Sequence, residues 1–401
     1  MERDQAPSLD ALAAALARAR PAGFRDLFLE RVADTVCHIE RGNIVARHAI
    51  LREGGAVRRE GTHYSADGLT RVTLARLLDV PGRTLPTLGT PPHPVPPDLA
   101  PLVAELPETC ESVRWRWRWA AVVRGGRAVT LRRPQLLEVT LVNGRRSLAT
   151  FPRPLGWRPP EALPPGRASA PVGPARALLA PAAAAVLLHE LLGHTLEGDF
   201  LVSGTSPLAR LWGKRLLALP LDVIDDPTRF DLPGAFDTDD EGYPGQPRPL
   251  LAAGTLIGAL CDEASAATLG VQPGNARRAG VHAPPRPRLS NLIVTNAWPE
   301  DPPREGATIE VESVSAGSLD PLSELLELGV RSGWRLQRGR RASRLHPFTL
   351  VGRVDRVRAG LLGAFGTPQE SGEPGWCGKA GEVVPAGAVA PWLLVEGMEV
   401  R

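Results

Sequence analysis

The chain has 401 residues, 43% hydrophobic and 23% charged, the proportions of a globular protein with room for two or three cores rather than of a disordered one. Its 47 Lys and Arg against 44 Asp and Glu leave a formal charge of only +3, which demands no nucleic-acid partner, and 41 Pro with 41 Gly favour turns over a helical bundle. No stretch reaches the roughly 18–20 apolar residues of a membrane span, the longest being 177–188 with Pro181 inside it.

In chain order, the opening residues lack the basic start and apolar core of a secretory signal. Pro7 and Ser8 precede Leu9, Leu12 and Leu16, the spacing of a short amphipathic helix. Residues 35–39, 44–51 and 56–60 read as short strands of an antiparallel meander, broken at Arg41-Gly42-Asn43 and at Glu53-Gly54-Gly55. Residues 69–78 carry leucines at helical spacing. Residues 114–119 alternate Arg and Trp, so a strand there sends Trp115, Trp117 and Trp119 to one side and Arg114, Arg116 and Arg118 to the other. A nucleic-acid surface would need both sets on one side. A tryptophan core face beneath a solvated arginine face is the expectation.

The prolines of 152–174 suggest a linker. The expected class is α+β: an N-terminal α+β domain with an antiparallel sheet over 1–165, then a mostly antiparallel β domain over 166–401. Strands are expected there near 250–260, 289–295, 307–314 and 348–357. Cys37, Cys110, Cys261 and Cys377 lie far apart without paired metal spacing, which fits a reducing cytoplasm.

The densest chemistry is His189-Glu190-Leu191-Leu192-Gly193-His194-Thr195-Leu196-Glu197-Gly198-Asp199 at the end of an Ala- and Leu-rich helix. Two histidines with a glutamate beside the first resemble the zinc-peptidase pattern, in which the glutamate activates water. These histidines are five residues apart, however, so a regular helix turns them about 140° away from each other. A π-type turn would realign them, and Gly193 is a place for that distortion. The alternative is a helix with one buried and one exposed histidine. Two imidazoles leave a catalytic zinc one protein ligand short, and both Glu197 and Cys377, the latter in a glycine-flanked turn beside Lys379, are candidates for it.

The pattern His189-Glu190-xxx-His194-xx-Glu197-Gly198-Asp199 resembles the HExxxHxxEGD signature of the TldD/PmbA metallopeptidases, also called modulators of DNA gyrase. The resemblance extends through Asp225-Asp226, Asp239-Asp240-Glu241-Gly242, Gly254 to Gly258, Gly274-Asn275-Ala276-Arg277-Arg278 and Arg288-Leu289-Ser290-Asn291 to Cys377-Gly378-Lys379-Ala380-Gly381. It implies that His189, His194 and Cys377 hold zinc, with Glu190 as the general base and Glu197 and Asp199 orienting the ligands. It also implies hydrolysis of small or unfolded peptides inside a dimer, either a homodimer or a heterodimer with a PmbA-like paralogue that lacks the histidines. This chain keeps the histidines and so resembles the active type, although it is shorter than a typical member. A non-catalytic partner subunit is the competing class, and a nucleic-acid-associated regulator the third. Gly213-Lys214 lacks the upstream glycine of a phosphate loop.

His282, Arg288 and Asn291 form a polar block expected to bind substrate backbone or an oxyanion, against the alternative of a proline-rich structural turn. Asp239, Asp240 and Glu241 read as a solvated acidic turn, and Lys379 as a turn cap.

Overall fold

The computed structural model describes residues 9–60, 62–86, 92–153, 157–161, 163–371 and 375–401. The class is α+β, mostly antiparallel sheet with few helices, as the sequence implies. Helix α1 (Leu9–Ala19) buries Leu12, Ala13, Ala15 and Leu16, while Pro7 and Ser8 lie outside the described residues. Two 17-residue strands follow, β1 (Phe24–Glu40) and β2 (Asn43–Arg59). They are joined at Arg41 and Gly42, both with positive φ, the geometry of a tight hairpin turn. The expected break at Glu53-Gly54-Gly55 does not occur. A Cβ on Gly54 would lie 2.6 Å from the Ala66 carbonyl oxygen, and one on Gly55 2.8 Å from Leu74. These glycines therefore admit close neighbours within one continuous strand rather than ending it.

Next come β3 (Thr62–Asp67), α2 (Arg71–Leu78), started by a Thr70 side chain that accepts from the Thr73 N–H, and α3 (Ala100–Ala104). Strands β4 (Cys110–Arg124), β5 (Arg127–Leu131), β6 (Gln135–Leu141) and β7 (Arg146–Phe151) complete a seven-stranded antiparallel sheet of order β3-β2-β1-β4-β6-β7, with β5 also on β4. Trp115 and Trp119 of β4 are buried beneath the helices with Leu27, Leu29, Val113 and Val123. The arginine face is solvated only in part: Arg114 is half-exposed, while Arg116 and Arg118 are largely withdrawn from water. Within the sheet Arg116 pairs with Asp34 of β1 at 2.7 Å and Arg118 with Glu30 of β1 at 2.5 Å, while toward the C-terminal half Arg118 faces Asp240 at 3.8 Å and Arg116 lies over the Trp376 ring. Where this face is covered, its charges must be neutralised internally.

After residue 172 the chain builds β8 (Gly173–Leu179) and α4 (Pro181–Leu188), which starts with proline at a position where no amide is needed. Every side chain of α4 except Ala182 is buried, as its uniform apolarity requires. Further on are α5 (Gly198–Ser203), β9 (Val223–Asp225), β10 (Arg248–Ala252), β11 (Thr255–Leu256) and α6 (Glu263–Leu269). Short strands β12 (Ala276–Arg277) and β13 (Arg286–Pro287) pair with each other, followed by β14 (Asn291–Val294), β15 (Ile309–Asp320), β16 (Leu325–Gln337), β17 (Arg340–Arg344) and β18 (Phe348–Arg353). The expected strand over 348–357 stops at Arg353 and continues as α7 (Val354–Ala359). The expected strand over 250–260 is a hairpin turning at Ala253 and Gly254.

Finally come β19 (Leu361–Ser371), β20 (Trp376–Lys379), β21 (Glu382–Pro385) and β22 (Gly387–Val400). In the 11-stranded sheet the path β22-β18-β16-β15-β8 returns to β22, because β8 pairs with both β15 and β22. Helix α4 packs with this ring in one large apolar core.

Candidate metal centre

Helix α4 delivers His189 into the interior. There the chain widens into a single π turn over His189–Gly193, then tightens into a 3₁₀ turn over His194–Leu196. The His194 N–H donates to the His189 carbonyl five residues back, so the imidazoles return to one side. Their ring centroids are 5.0 Å apart at 84°. A Cβ on Gly193 would meet Leu289 at 3.7 Å, an ordinary contact, so the turn does not require glycine on steric grounds.

The sulfur arrives from β20, whose hairpin with β21 turns at Ala380 and Gly381, both with positive φ. Cys377 Sγ lies 3.7 Å from His194 Nε2, and one donor atom from each of His189, His194 and Cys377 falls within 4.8 Å of the others. His189 Nδ1 is buried without a hydrogen-bond partner. Burial works to raise the Cys377 thiol, but His194 and His189 outweigh it and hold it well below the usual thiol value. His194 is held well above its ordinary value despite burial, by Cys377 and Glu197.

Of the two candidates for completing the set, Glu197 points elsewhere. It sits 3.3 Å from His194 Nδ1, the far side of the ring, and 2.9 Å from Lys379 Nζ. Lys379, expected as a turn cap, is instead a buried cation between Glu197 and Asp199, at 2.7 Å from the latter, and over the Phe200 ring. Arg288 donates to the Cys377 carbonyl and lies 3.8 Å from Glu197. Asn291 is buried, accepting from the Gly234 N–H and donating to the Asp226 carbonyl. His282 bonds Ser65 and Asp67 at the edge of the N-terminal sheet. The polar block His282, Arg288 and Asn291 therefore does not line the cavity at the histidines; its members anchor backbone and the neighbouring half. Asp239, Asp240 and Glu241 are buried rather than solvated. Glu241 pairs with Arg58, Asp240 with Arg133 at 2.8 Å, and Asp239 accepts from the Glu241, Tyr243 and Ala276 N–H groups.

A cavity of about 680 Å³ opens at the centre, walled by Glu190 and His194, by 314–319 of β15, by Trp376 and Lys379 of the hairpin and by Arg114, Arg116 and Glu138 of the N-terminal sheet. His189 and Cys377 lie behind this wall and His194 is part of it. Burial pushes the Glu190 carboxyl up against the lowering pull of His189 and His194. Sequence reasoning missed the β15 segment and the Glu138 wall, since nothing local in either marks a site. The Arg-Trp alternation carried a usable signal, because its arginine side had to face something.

A buried His, His and Cys cluster behind a cavity wall that carries a carboxylate is a donor set able to hold a divalent metal ion. The model of the PmbA/TldA metallopeptidase C-terminal domain matches residues 172–401, and the chain belongs to that family. A metalloprotease TldD homologue of Buchnera aphidicola is 29% identical over 219 residues, 54% of this chain and 45% of that protein. A metalloprotease of Archaeoglobus fulgidus is 29% identical over 214 residues, 53% and 49% respectively, so the chain spans about half the length of the curated relatives it matches. The metalloprotease names of these relatives imply a metal ion. Among solved structures, a protein described as a modulator of a DNA gyrase from Thermotoga maritima superposes with a TM-score of 0.66 at 15% identity, covering 96% of this chain and 98% of that one. TldE from Thermococcus kodakarensis does so with 0.66 at 13%, covering 97% and 100%. Both share the fold. No helix among the described residues is long and apolar enough to cross a membrane.

Proposed function

We propose that this chain is a zinc-dependent peptidase that hydrolyses small or unfolded peptides in the cavity between its halves. The observation that carries the reading is the convergence of His189, His194 and Cys377 donor atoms within 4.8 Å, with Glu190 on the adjoining cavity wall. The donor set suits zinc: tetrahedral bonds of about 2.3 Å to sulfur and 2.0–2.1 Å to nitrogen separate the two atoms by roughly 3.6 Å, against the 3.7 Å between Cys377 Sγ and His194 Nε2. His189, His194 and Cys377 would hold the ion, which when bound supplies a Lewis acid for the scissile carbonyl and a water acidified toward neutrality.

Glu197 holds His194 by Nδ1 and so turns Nε2 toward the sulfur, while Asp199 acts through Lys379. Glu190 is the general base, taking the proton of the attacking water and passing it to the leaving amine. A carboxyl raised by burial is suited to hold that proton between the two transfers. Residues 1–165 are proposed as one domain and 166–401 as the other, with arginines of the first closing the cavity of the second. The whole protein is placed in the cytoplasm as a homodimer, or paired with a PmbA-like paralogue, a reading supported by the fold shared with TldE. A purely non-catalytic partner subunit is disfavoured by the intact His189, Glu190, His194 and Cys377 set.

The test is metal analysis with peptide hydrolysis on purified protein. Cys377→Ala is expected to lose the metal. Glu190→Gln is expected to keep it and lose hydrolysis by at least about a hundredfold, the usual size of a general-base contribution. Full zinc content in Cys377→Ala would refute the third ligand, and undiminished turnover by Glu190→Gln would refute the base.

A further inference from the structure

A second cavity, of about 170 Å³, adjoins the first, the two sharing Arg116, Trp376 and Val383 in their walls. More guanidinium groups than carboxylates line it. Most of these arginines are already neutralised: Arg116 by Asp34, Arg118 by Glu30, and Arg133 by Asp240 at 2.8 Å. The wall carboxylates are occupied as well, Glu53 by Arg31 and Asp67 by His282 at 3.0 Å. Arg277 differs. It is buried, lies over the Phe236 ring, and gives one hydrogen bond, from Nη1 to the Leu289 carbonyl; no carboxylate pairs with it among the described residues. Burial, with Arg133 adding to it and Asp240 opposing, brings its value down to about 9, so it is still a cation at neutral pH. The carboxylate whose charge reaches it, Asp240, is already engaged by Arg133 and Arg118; a buried cation so poorly compensated is costly, and beside a reaction centre it suits a ligand that brings the missing charge.

Resting on the peptidase reading above, we propose that this cavity is a subsite for a substrate carboxylate, which Arg277 receives. Its volume takes a carboxyl-bearing side chain or chain end and little more. Strand β12 carries Arg277, and its partner β13 leads directly to Arg288, which holds the Cys377 carbonyl, so the subsite is built into the same backbone as the centre. Two sources of the carboxylate fit: the C-terminus of a short peptide, or an internal Asp or Glu.

The experiment is fluorescence anisotropy on the 401-residue Glu190→Gln chain, in which turnover is slowed enough for binding to be read. The probes are a fluorescein-labelled Ala/Gly octapeptide with a free C-terminal carboxylate, the same peptide as its amide, and an amide carrying one internal Glu. At least one acidic probe is expected to bind about tenfold tighter than the neutral amide, the scale of one charge-assisted hydrogen bond. Which acidic probe gains identifies the source. The preference should vanish in Arg277→Gln and persist in part in Arg277→Lys, with circular dichroism showing that both fold. Equal affinity for all three probes in the protein with Arg277 intact would overturn the proposal whatever the variants do, as would a preference surviving in a folded Arg277→Gln. Because the probe comparison needs no hydrolysis, its failure is separable from failure of the peptidase reading.

Discussion

Gly317 shows how a single missing side chain shapes the site. A Cβ there would sit 2.7 Å from Glu190 Cγ and 3.0 Å from its Oε1, so the flank of β15 lies against the candidate base only because residue 317 has none. Gly317→Ala is expected to push the carboxylate off its line while leaving the metal donors in place. Hydrolysis should fall about a hundredfold, the cost of an ångström-scale misplacement, with zinc content unchanged; unaltered kcat/KM would show that Glu190 has slack. Lys379 is the complementary case, a buried cation facing Glu197 at 2.9 Å and Asp199 at 2.7 Å. Replacing it with Met leaves the buried Glu197 short of its nearest cation. Lys379→Met is expected to lose about 3 kcal/mol in urea unfolding, and a loss under 1 kcal/mol would mean that Arg288 suffices. Neither role was legible locally. In the sequence Gly317 is one small residue in Ser-Ala-Gly-Ser, and Lys379 a turn cation, because the carboxylates each one meets lie more than a hundred positions away.

At the scale of elements, the five-residue histidine spacing was a strong signal. Helical geometry allows only a widened turn to bring His189 and His194 together, and the chain makes that turn over His189–Gly193. Deleting Leu192 is expected to restore a regular four-residue spacing and to draw His194 and Glu197 together one residue back along the helix, pulling Glu197 away from Lys379 and Arg288. Metal affinity, measured by competition with a chromogenic chelator, should then fall at least tenfold, as loss of such an orienting contact does; affinity held at the parent value would show that the π turn itself is dispensable. The glycine pair in β2 carried the opposite lesson. Glu53-Gly54-Gly55 looks like a break because glycine usually punctuates strands, but there Ala66 and Leu74 press too closely to admit a Cβ. Composition cannot distinguish a glycine that bends the chain from one that makes room for a neighbour.

For the whole molecule, the two halves meet through buried charge as well as apolar surface. Arg58 of β2 pairs with both Asp26 and Glu241, and Arg278 packs over Phe28 of β1 with His63 Nδ1 at 3.4 Å from its guanidinium. Burial and then Arg278 lower His63 to about 4. Its contribution to stability is therefore complete above the unfolded value near 6.5 and is lost as pH falls from there toward 4, because the unfolded chain takes up a proton that the folded histidine refuses. Urea midpoints measured between pH 7 and 4.5 should fall less steeply for His63→Gln than for the parent chain; parallel curves would show that the junction opens to solvate the ring.

The sequence by itself determined the class, the helix that ends in His189, the need for an altered turn, and Cys377 as a candidate for the same centre, since these rest on local periodicity and on the chemistry of short motifs. Spacing alone left open whether sulfur or carboxylate stands nearest the imidazoles, which only the family resemblance turned toward Cys377, and the sequence misplaced the acidic turn at 239–241 and much of the arginine face of β4 in solvent. Those questions were decided only by long-range packing: which sheet face meets the other half, and which residue a hairpin brings back after nearly two hundred positions. Charge neutralisation and close approach are pairwise in space, so a chain read in one dimension shows each partner without showing the pair.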